Sequence, residues 1–272
     1  MDANFEKNLK IYVSEAAFFE RVLMRQIHSL SQGSHVVEIG AGIGALALRI
    51  ASHGFEVTAF EPQSAGFSHM YEMRKHLIGQ NPQDISVSFR DEFLDKNTKL
   101  DKPADLILAI NVIEHVPDIR GLISNALKIK SSQGSMRIIC PNYAIPYEPH
   151  FEIPTLFLKK ITFKVFRKQI ERSKLEDPFD FWHDLSWPTQ RSLKKLFTEM
   201  NLDFEFKREG FSHYINRALG DELFTERKGP IIGKMIWVFA ILFQRISSLI
   251  PISLIPIIDC NIYGEKSKAD NS

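Results

Sequence analysis

Hydrophobic positions recur with two different periods along the first half of the chain. Before Gly33 they recur every three to four residues, as at Phe18, Val22 and Ile27, which predicts an amphipathic helix within an N-terminal segment over 1–33. From residue 34 to residue 142, short apolar runs alternate with longer stretches of helical periodicity. Strands that alternate with helices in this way build βαβ units and a parallel sheet.

The elements of this alternating region follow one another in a regular order. Strands are expected over 35–40, 55–61, 85–89, 104–111 and 136–140, and helices over 43–51, 64–78 and 118–130. Crossover helices cover both faces of a parallel sheet, so its strands are apolar on both sides, as the run over 104–111 is. We therefore predict an α/β fold whose core, over 34–142, is a Rossmann-like sheet with helices on both faces.

The second half of the chain has a less regular pattern. Four prolines interrupt residues 141–154, and a loop of this length is usually functional or disordered. Helices are expected over 156–174 and 189–200, and strands over 202–207 and 258–263. We divide the region into a loop with a basic helical insertion over 143–200, the final strands over 201–264, and a disordered tail over 265–272.

Composition and charge exclude several classes of protein. The 272 residues include 34 Lys and Arg against 33 Asp and Glu, so that the net charge is +1. This balance gives no reason to expect a nucleic-acid partner. Two cysteines cannot form a disulfide framework in a chain of this length, and the N-terminus lacks the basic and apolar regions of a signal peptide. We therefore expect a cytoplasmic protein.

Two segments depart from this neutral average. Residues 155–174 contain seven cations and one anion with large apolar side chains between them, which is typical of a helix on an anionic membrane surface or at an anionic ligand. A solvated helix packed on the sheet is the alternative. In 231–258 only Lys234 and Arg245 are charged, but two prolines break the run. We interpret 231–256 as a helical insertion that forms a cap, a dimer interface or a peripheral membrane element, not a span.

A glycine-rich turn follows the first predicted strand. The sequence there is Val36-Val37-Glu38-Ile39-Gly40-Ala41-Gly42-Ile43-Gly44. Gly40, Gly42 and Ala45 satisfy the dinucleotide pattern G-x-G-x-x-G/A, in which a helix N-terminus receives a pyrophosphate. Glu38 argues against that interpretation, because its carboxylate would face the phosphates. It favours a nucleotide ligand that carries positive charge, such as the sulfonium and ammonium groups of S-adenosylmethionine.

The turn and three later segments together resemble the class I S-adenosylmethionine-dependent methyltransferases, whose first motif is E/D-x-G-x-G-x-G. The resemblance covers residues 33–142 and implies that S-adenosylmethionine is the cofactor. The residues that it assigns to cofactor binding are Glu38, Gly40, Ala41, Gly42 and Gly44 of the turn, Glu61 and Pro62 after the second strand, Asp91 and Glu92 after the third, and Asn111 after the fourth. Glu61, 21 residues after Gly40, matches the acidic residue that holds the ribose hydroxyls, and Asp91-Glu92 match the acidic position at the adenine amino group.

The resemblance also implies a sheet of seven strands, mostly parallel, with helical cap insertions and an antiparallel last strand beside the fifth. Cys140 in the fifth strand and Cys260 in the last would then be near neighbours, and we expect both to be free thiols in a reducing cytosol. The segment Val112-Ile113-Glu114-His115-Val116-Pro117-Asp118 is similar to the small-molecule branch that includes the ubiquinone-biosynthesis methyltransferases.

The expected acceptor is a small or lipid-linked molecule that is methylated at oxygen. Enzymes that methylate amino groups of DNA and proteins often carry N/D-P-P-Y/F after the fourth strand, where this chain has Asn111-Val112-Ile113-Glu114. Oxygen is therefore favoured, with carbon next. His150 and His115 are the candidate catalytic residues, as general bases, because both fall at the carboxyl ends of the strands. His115 is alternatively a turn residue that orients its loop.

Metal dependence is not expected, because Glu148 and His150 alone provide too few ligands and no Cys-x-x-Cys spacing occurs. The basic helix and the apolar run lead to the hypothesis that the protein lies on the inner face of a membrane. Two other functions stay open at this point. One is a non-catalytic, membrane-associated binding module with the same fold, and the less favoured one is a nicotinamide-dependent oxidoreductase.

Overall fold

A computed structural model describes residues 3–62, 68–80, 86–156, 158–173, 175, 177–221, 229–246 and 249–266. Its first half contains α1 (Ala3–Ile27), β1 (His35–Ile39), α2 (Ala45–Ala51), β2 (Glu56–Phe60), α3 (Ser68–Gln80), β3 (Val87–Arg90), β4 (Ala104–Ile110), α4 (Ile119–Ile129) and β5 (Lys130–Pro141). A short 3₁₀ helix, Ile113–His115, follows β4. The predicted alternation of strands and helices over 34–142 is therefore present.

The second half begins with a small hairpin and continues with five helices and two strands among the described residues. The elements are β6 (Tyr147–Glu148), β7 (Ile153–Pro154), α5 (Lys159–Glu171), α6 (Pro178–Asp184), α7 (Gln190–Glu199), β8 (Leu202–Phe206), α8 (Glu209–Gly220), α9 (Gly229–Ile246) and β9 (Ile257–Glu265). A 3₁₀ turn, Ile252–Leu254, precedes β9. Thr189 caps α7 with its hydroxyl, which accepts a hydrogen bond from the Ser192 backbone.

Seven strands form one sheet in the order β3-β2-β1-β4-β5-β9-β8. The first five are parallel, and β9 runs antiparallel between β5 and β8. The predicted fold, with an antiparallel last strand beside the fifth, is confirmed. Ile138 pairs with Cys260 and Cys140 pairs with Ile258, so the two cysteines are near neighbours. Both are buried free thiols, as expected.

Helices cover the two faces of the sheet, and the core is divided accordingly. Leu106 and Leu108 of β4 pack on one face with residues of α1, α2 and α8. Ile107 and Ala109, which point the other way, pack with residues of α4 and α7. Because β4 is buried on both faces, it is apolar along almost its whole length.

Several boundaries and elements differ from those expected. The helix predicted over 43–51 starts at Ala45, because Gly44 has a φ of 73°, outside the helical region. The helix predicted over 156–174 is shorter, Lys159–Glu171, and the strand predicted over 136–140 begins earlier, at Lys130. The helices α6 and α8 and the β6–β7 hairpin are not expected from the sequence pattern. In α8 the buried residues Phe211, Ile215 and Ala218 do recur at helical spacing.

The apolar insertion near the C-terminus is a single helix, α9, followed by the turn Ile252–Leu254. None of the helices among the described residues is long and apolar enough to cross a membrane. Some predicted features fall on residues that the structure does not describe. These are the start of the helix over 64–78, the first residue of the strand over 85–89, residues 157 and 174 of the helix over 156–174, residues 247–248 of the apolar insertion, and residues 267–272 of the tail.

Candidate active site

The glycine turn joins β1 to α2 at the carboxyl edge of the sheet. Gly40 and Ala41 donate backbone hydrogen bonds to the Phe60 carbonyl at 2.8 and 3.0 Å, which fixes the turn against the end of β2. Gly40 has a φ of 69°, and a Cβ atom there would collide with the side chain of Val112. The glycine turn therefore lies directly beside the turn that follows β4.

The far side of the glycine turn is equally crowded. At Gly44, where φ is 73°, a Cβ atom would lie 2.5 Å from the ring of Phe89 in β3. The Gly44 backbone donates to the Ala41 carbonyl at 2.7 Å. The backbone thus passes between Val112 and Phe89 in conformations that only glycine adopts readily. This close approach is what a cradle for a nucleotide requires.

Glu38 is a buried carboxylate without full hydrogen bonding. Only 5% of its surface is exposed, and the Ala47 backbone donates to the carboxylate. Among the described residues, its Oε2 atom has no hydrogen-bond partner. Burial and the neighbouring Glu61 carboxylate raise the pKa of Glu38 to about 8. A cation placed here would compensate the buried charge, so the side chain fits the positively charged ligand inferred from the motif.

Glu61 and Asp91 lie close to each other at the ends of β2 and β3. Oε2 of Glu61 accepts a hydrogen bond of 2.8 Å from the Gly42 backbone. Burial raises the pKa of Glu61, and nearby Asp91 adds to that effect. Asp91 pairs with the buried Arg74 of α3. The turn and both acidic residues thus form one continuous surface.

The two remaining residues of this set occupy different positions. Pro62 directly follows Glu61 and is half-buried. Glu92 is exposed and pairs with Arg90 at 3.4 Å, on the outer side of β3. The structure therefore brings Asp91 to Glu61 and does not bring Glu92 there.

Asn111 ends β4 at the same edge of the sheet. Its φ is 53°, a left-handed conformation that Asn tolerates better than most residues, and its backbone donates to the Ile139 carbonyl at 2.8 Å. The chain then forms the short helix Ile113–His115, which buries Glu114 completely. Both carboxylate oxygens of Glu114 lack a hydrogen-bond partner among the described residues, and burial raises its pKa to about 7.

His150 lies on the hairpin between β6 and β7 and is held by Glu148. Its Nδ1 atom is 2.6 Å from Oε1 of Glu148, whose side chain is fully buried. Oε1 also accepts a hydrogen bond from the Tyr143 hydroxyl at 3.1 Å, and Oε2 accepts one from the Phe151 backbone at 2.7 Å. Burial opposes the ionisation of Glu148, but the hydrogen bonds and the charge of His150 outweigh it and lower the pKa. The ionised carboxylate can fix the orientation and tautomer of His150.

His115 lies against His150 from the other side of the site. The two ring centroids are 5.0 Å apart, and the ring of Phe181 is 5.0 Å from His115 and 5.1 Å from His150. Burial, together with the charge of His150, lowers the pKa of His115 to about 3. Its imidazole is therefore neutral and a weak base at neutral pH. The structure thus brings both predicted histidines together but gives them different electrostatic environments.

Aromatic side chains line this side of the site. Tyr143 and Trp187 are stacked, with centroids 5.3 Å apart and planes at 13°, and the edge of Trp182 meets Trp187. Trp187 has a φ of 44°, which is unusual for a bulky residue and is a feature of functional sites. Its buried Nε1 atom has no hydrogen-bond partner among the described residues.

Sequence reasoning assigned no role to four residues of this site: Glu114, Glu148, Tyr143 and Trp187. Glu148 had a signal in the sequence, because it lies two residues before His150 in a proline-bounded loop. Trp187 had none, because its strained backbone and its contact with Tyr143 exist only in the folded chain.

The ligand-type atoms of Glu114, His115 and His150 lie within 4.8 Å of one another. The expectation that no metal is used rests on two observations: the sequence has no Cys-x-x-Cys spacing, and Glu148 and His150 by themselves offer too few ligands. Folding adds Glu114 and His115 to this region, and two histidines with one carboxylate are a ligand set found in metalloenzymes. Metal independence therefore remains a prediction.

The sheet order, the glycine turn after β1 and the acidic residues after β2 and β3 define a class I S-adenosylmethionine-dependent methyltransferase. A family model described as "Methyltransferase domain" matches residues 12–211, which is most of the chain, and the chain belongs to this family. Its cofactor is thus S-adenosylmethionine. Family membership also removes the dinucleotide interpretation of the glycine pattern.

Two groups of relatives share sequence with the chain. An uncharacterized protein of Mycobacterium tuberculosis is 28% identical over 255 residues, which span 92% of this chain and 85% of that protein. The ubiquinone biosynthesis O-methyltransferase of Coxiella burnetii is 26% identical over 105 residues, 39% of this chain and 42% of the enzyme. That of Paramagnetospirillum magneticum is 32% identical over 114 residues, 41% of each. Similarity to these O-methyltransferases therefore covers less than half of either chain.

Two solved structures share the fold over most of the chain. Mycolic acid cyclopropane synthase, solved with S-adenosylhomocysteine, has a TM-score of 0.53 at 15% identity and covers 90% of this chain and 82% of its own. The plantazolicin methyltransferase BpumL has a TM-score of 0.51 at 11% identity, with coverages of 97% and 89%. At these identities the similarity concerns the fold alone.

Proposed function

We propose that the chain transfers the methyl group of S-adenosylmethionine to a hydroxyl oxygen of a hydrophobic small molecule or lipid-linked acceptor. The observation that carries this proposal is the pairing of His150 with the buried Glu148 at 2.6 Å. A histidine oriented by a carboxylate is suited to remove the proton of a hydroxyl group. Gly40 contacts Val112, which is close to Glu114 and His115. This contact supports placing the His150–Glu148 pair beside the glycine turn.

We propose that residues of four segments bind the cofactor. The Glu38 oxygen that lacks a hydrogen-bond partner among the described residues supports this proposal. We assign Glu38 to the positively charged amino-acid part of the cofactor, because the carboxylate is buried and lacks a compensating cation. Glu61 and Pro62 are assigned to the ribose side and Asp91 to the adenine side. Glu92, which is exposed and pairs with Arg90, would need to leave that pair to reach the adenine. Five further residues are assigned to contacts between their backbone and the cofactor: Gly40, Ala41, Gly42, Gly44 and Asn111.

When bound, S-adenosylmethionine supplies a methyl group on a sulfonium. His150 would accept the hydroxyl proton at Nε2 as the acceptor oxygen takes up that methyl group, with the thioether as the leaving group. Glu148 holds Nδ1 and stabilises the imidazolium that forms. The aromatic rings of Phe181 and Trp187 exclude water and contact the apolar part of the acceptor.

His115 is proposed as the second residue of the catalytic pair, acting next to the acceptor in its neutral form. Its lowered pKa, about 3, makes it a poorer proton acceptor than an ordinary histidine. A neutral imidazole can still donate or accept a hydrogen bond at the acceptor hydroxyl. We therefore assign the proton transfer to His150 and the positioning of the acceptor to His115.

Labelled transfer from the cofactor tests this proposal. The protein is incubated with methyl-labelled S-adenosylmethionine and, separately, with lipid and aqueous extracts of the cells that contain it. We expect label in the lipid extract as an alkali-stable ether, lost in His150→Ala while calorimetric binding of S-adenosylhomocysteine is retained. Cofactor binding with no transfer to any extract would favour the non-catalytic binding module, and label on nitrogen or carbon would overturn the assignment to oxygen.

The location that we propose is cytoplasmic, with no nucleic-acid partner. The even balance of charge and the two buried thiols support this location. Association with a membrane surface, or a homodimer, depends on surfaces outside the reaction site.

A further inference from the structure

The helix α9 is apolar on the side that faces solvent as well as on the side that faces the protein. Its inner side contacts the core through Ala240, which is buried, and through Ile236 and Phe243. On the outer side, Phe239 is 51% exposed and Leu242 is 61% exposed. A helix that is hydrophobic all round is normally covered on every side. The outer face of α9 therefore requires a partner.

The apolar surface continues from α9 to the edge of the sheet that holds the reaction site. Leu249 and Leu254 are 79% and 56% exposed. The segment that carries them is fastened to the end of β5, where the Asn142 side chain donates hydrogen bonds to the Ser253 and Ile255 carbonyls at 3.0 and 2.8 Å. The exposed leucines therefore lie at the carboxyl edge of the sheet.

A second exposed surface lies on α5. Leu158, Ile161 and Val165 follow one another at helical spacing and are 59%, 46% and 60% exposed. The cations of the same helix and its C-terminal cap are also exposed: Lys160, Lys164, Arg167, Lys168 and Arg172. Glu171 is the one acidic residue between 155 and 174 in the sequence. The outer face of α5 is thus apolar and strongly positive at once.

The helix α5 also starts from the carboxyl edge. It follows the β6–β7 hairpin, which carries His150, and the Thr155 backbone donates to the Pro146 carbonyl at 3.1 Å. Lys159 at its first turn reaches the His183 carbonyl at 2.9 Å and anchors the helix to α6. The basic face of α5 and the apolar segment before β9 therefore both extend from the edge at which the acceptor would enter.

We infer that the outer face of α5 and the apolar surface of α9 and residues 249–254 together form a docking face for an anionic membrane surface. Phosphate groups of anionic lipids complement the cations, and the interfacial region accepts the exposed apolar side chains. A second copy of the chain fits less well, because the positive faces of two α5 helices would repel each other. From Gly229 to Ile258 the sequence has no Asp or Glu, so no acidic patch there offers them a partner. This inference is independent of the proposed reaction.

Vesicle binding tests the docking face with the full chain. The probes are vesicles of phosphatidylcholine alone and of equimolar phosphatidylcholine and phosphatidylglycerol, separated from free protein by sedimentation at low and at high salt. The double variant K160E/K164E reverses two exposed cations of α5. Its control K128E/K195E reverses two exposed cations on α4 and α7, with the same change in net charge. L242S/L249S removes apolar side chains from the other part of the face.

The wild type should bind vesicles that contain phosphatidylglycerol and bind pure phosphatidylcholine far less. K160E/K164E should bind about 10-fold or more weakly, whereas the control should bind like the wild type. L242S/L249S should lose the binding that persists at high salt. Equal binding by K160E/K164E and its control, or no binding at low salt, would overturn the inference. A stable dimer in solution that L242S/L249S dissociates, without vesicle binding, would assign the face to a second copy instead.

Discussion

The Nδ1 atom of His150 lies 2.6 Å from Oε1 of Glu148, and the carboxylate of Glu148 is completely buried. The hydrogen bonds from Tyr143 and Phe151 hold this carboxylate in place, so the hairpin presents His150 in one orientation. Nε2 is then the atom that can take a proton. Two residues that lie close together in one loop of the sequence thus provide the base proposed for the whole site.

Replacing Glu148 by Gln should lower kcat by about 10- to 100-fold, because the base keeps its position but loses the carboxylate that orients it and stabilises its charge. His150→Ala should cost more, about 10²- to 10⁴-fold. The measurement is the pH profile of labelled methyl transfer. Asp180→Asn, an exposed acidic residue on nearby α6, serves as the control. If E148Q and D180N gave the same kcat and the same pH profile, Glu148 would have no part in positioning His150.

Gly44→Ala should reduce both stability and cofactor affinity. The added Cβ would lie 2.5 Å from the Phe89 ring at a φ of 73°, and a strained residue of this kind costs about 1–3 kcal/mol. Gly79→Ala is the matched control, because Gly79 lies in α3 and no atom of the described residues is within 4 Å of its Cβ position. Alanine should stabilise that helix by up to about 1 kcal/mol. Thermal unfolding measures the stability, and calorimetry with S-adenosylhomocysteine measures the affinity. Equal behaviour of the two variants would contradict the proposal that the glycine turn holds the cofactor.

Cofactor affinity should rise with pH up to about 8. Without a cation beside it, Glu38 stays protonated until that pH, so binding of a positively charged ligand must release a proton. Affinity should then increase by at most about tenfold for each pH unit. The free energy of unfolding of the cofactor-free chain should fall over the same range, because the unfolded chain loses this proton at its ordinary pKa of 4.5.

Calorimetry of S-adenosylmethionine binding across the neutral range checks this behaviour. Glu38→Gln should remove the pH dependence, whereas Glu56→Gln, an exposed residue on the adjacent strand β2, should keep it. A pH dependence that survived in E38Q would place the titrating group elsewhere.

The sequence predicted the sheet and the cofactor side of the site because both depend on local patterns. Alternation of strand and helix defines the parallel strands, and Gly40, Gly42 and Gly44 lie together in the turn after the first strand. The positions after each strand then converge without further information, since carboxyl ends of parallel strands meet at one edge. Glu38 and Gly40 were singled out in that stretch of sequence, and Glu61 was assigned through the resemblance to the class I methyltransferases.

The acceptor side could not be predicted to the same depth. Glu114 and His150 are distant in the sequence and meet because the loop after β5 folds back over the turn after β4. The role of Trp187 depends on a positive φ and on stacking with Tyr143, neither of which leaves a periodic signal. Charge arithmetic did locate the basic segment, and only the structure shows that five of its cations are exposed, whereas Lys159 is half-buried against α6.

Methyl transfer should persist after removal of divalent metal ions. The proposed mechanism uses His150 as the base and requires no metal, although Glu114, His115 and His150 place their ligand-type atoms within 4.8 Å of one another. Dialysis against a chelator, followed by the labelled transfer assay, should leave kcat unchanged within error. Loss of activity that Mg²⁺ or Zn²⁺ restores would instead make these three residues metal ligands. In that case Glu114→Gln should abolish the restoration, while Glu152→Gln should not.

The buried ion pair between β5 and β9 should be far more important for stability than an exposed pair. Arg137 donates two hydrogen bonds of 2.9 Å to Asp259, and neither side chain is more than 1% exposed. Asp259→Ala leaves a buried guanidinium with its main partner removed, which should cost about 3–5 kcal/mol. Glu199→Ala breaks the exposed pair with Arg120 and should cost less than about 1 kcal/mol. Chemical denaturation of both variants measures the difference, and similar losses would show that Gln26 and Glu209 compensate for Asp259.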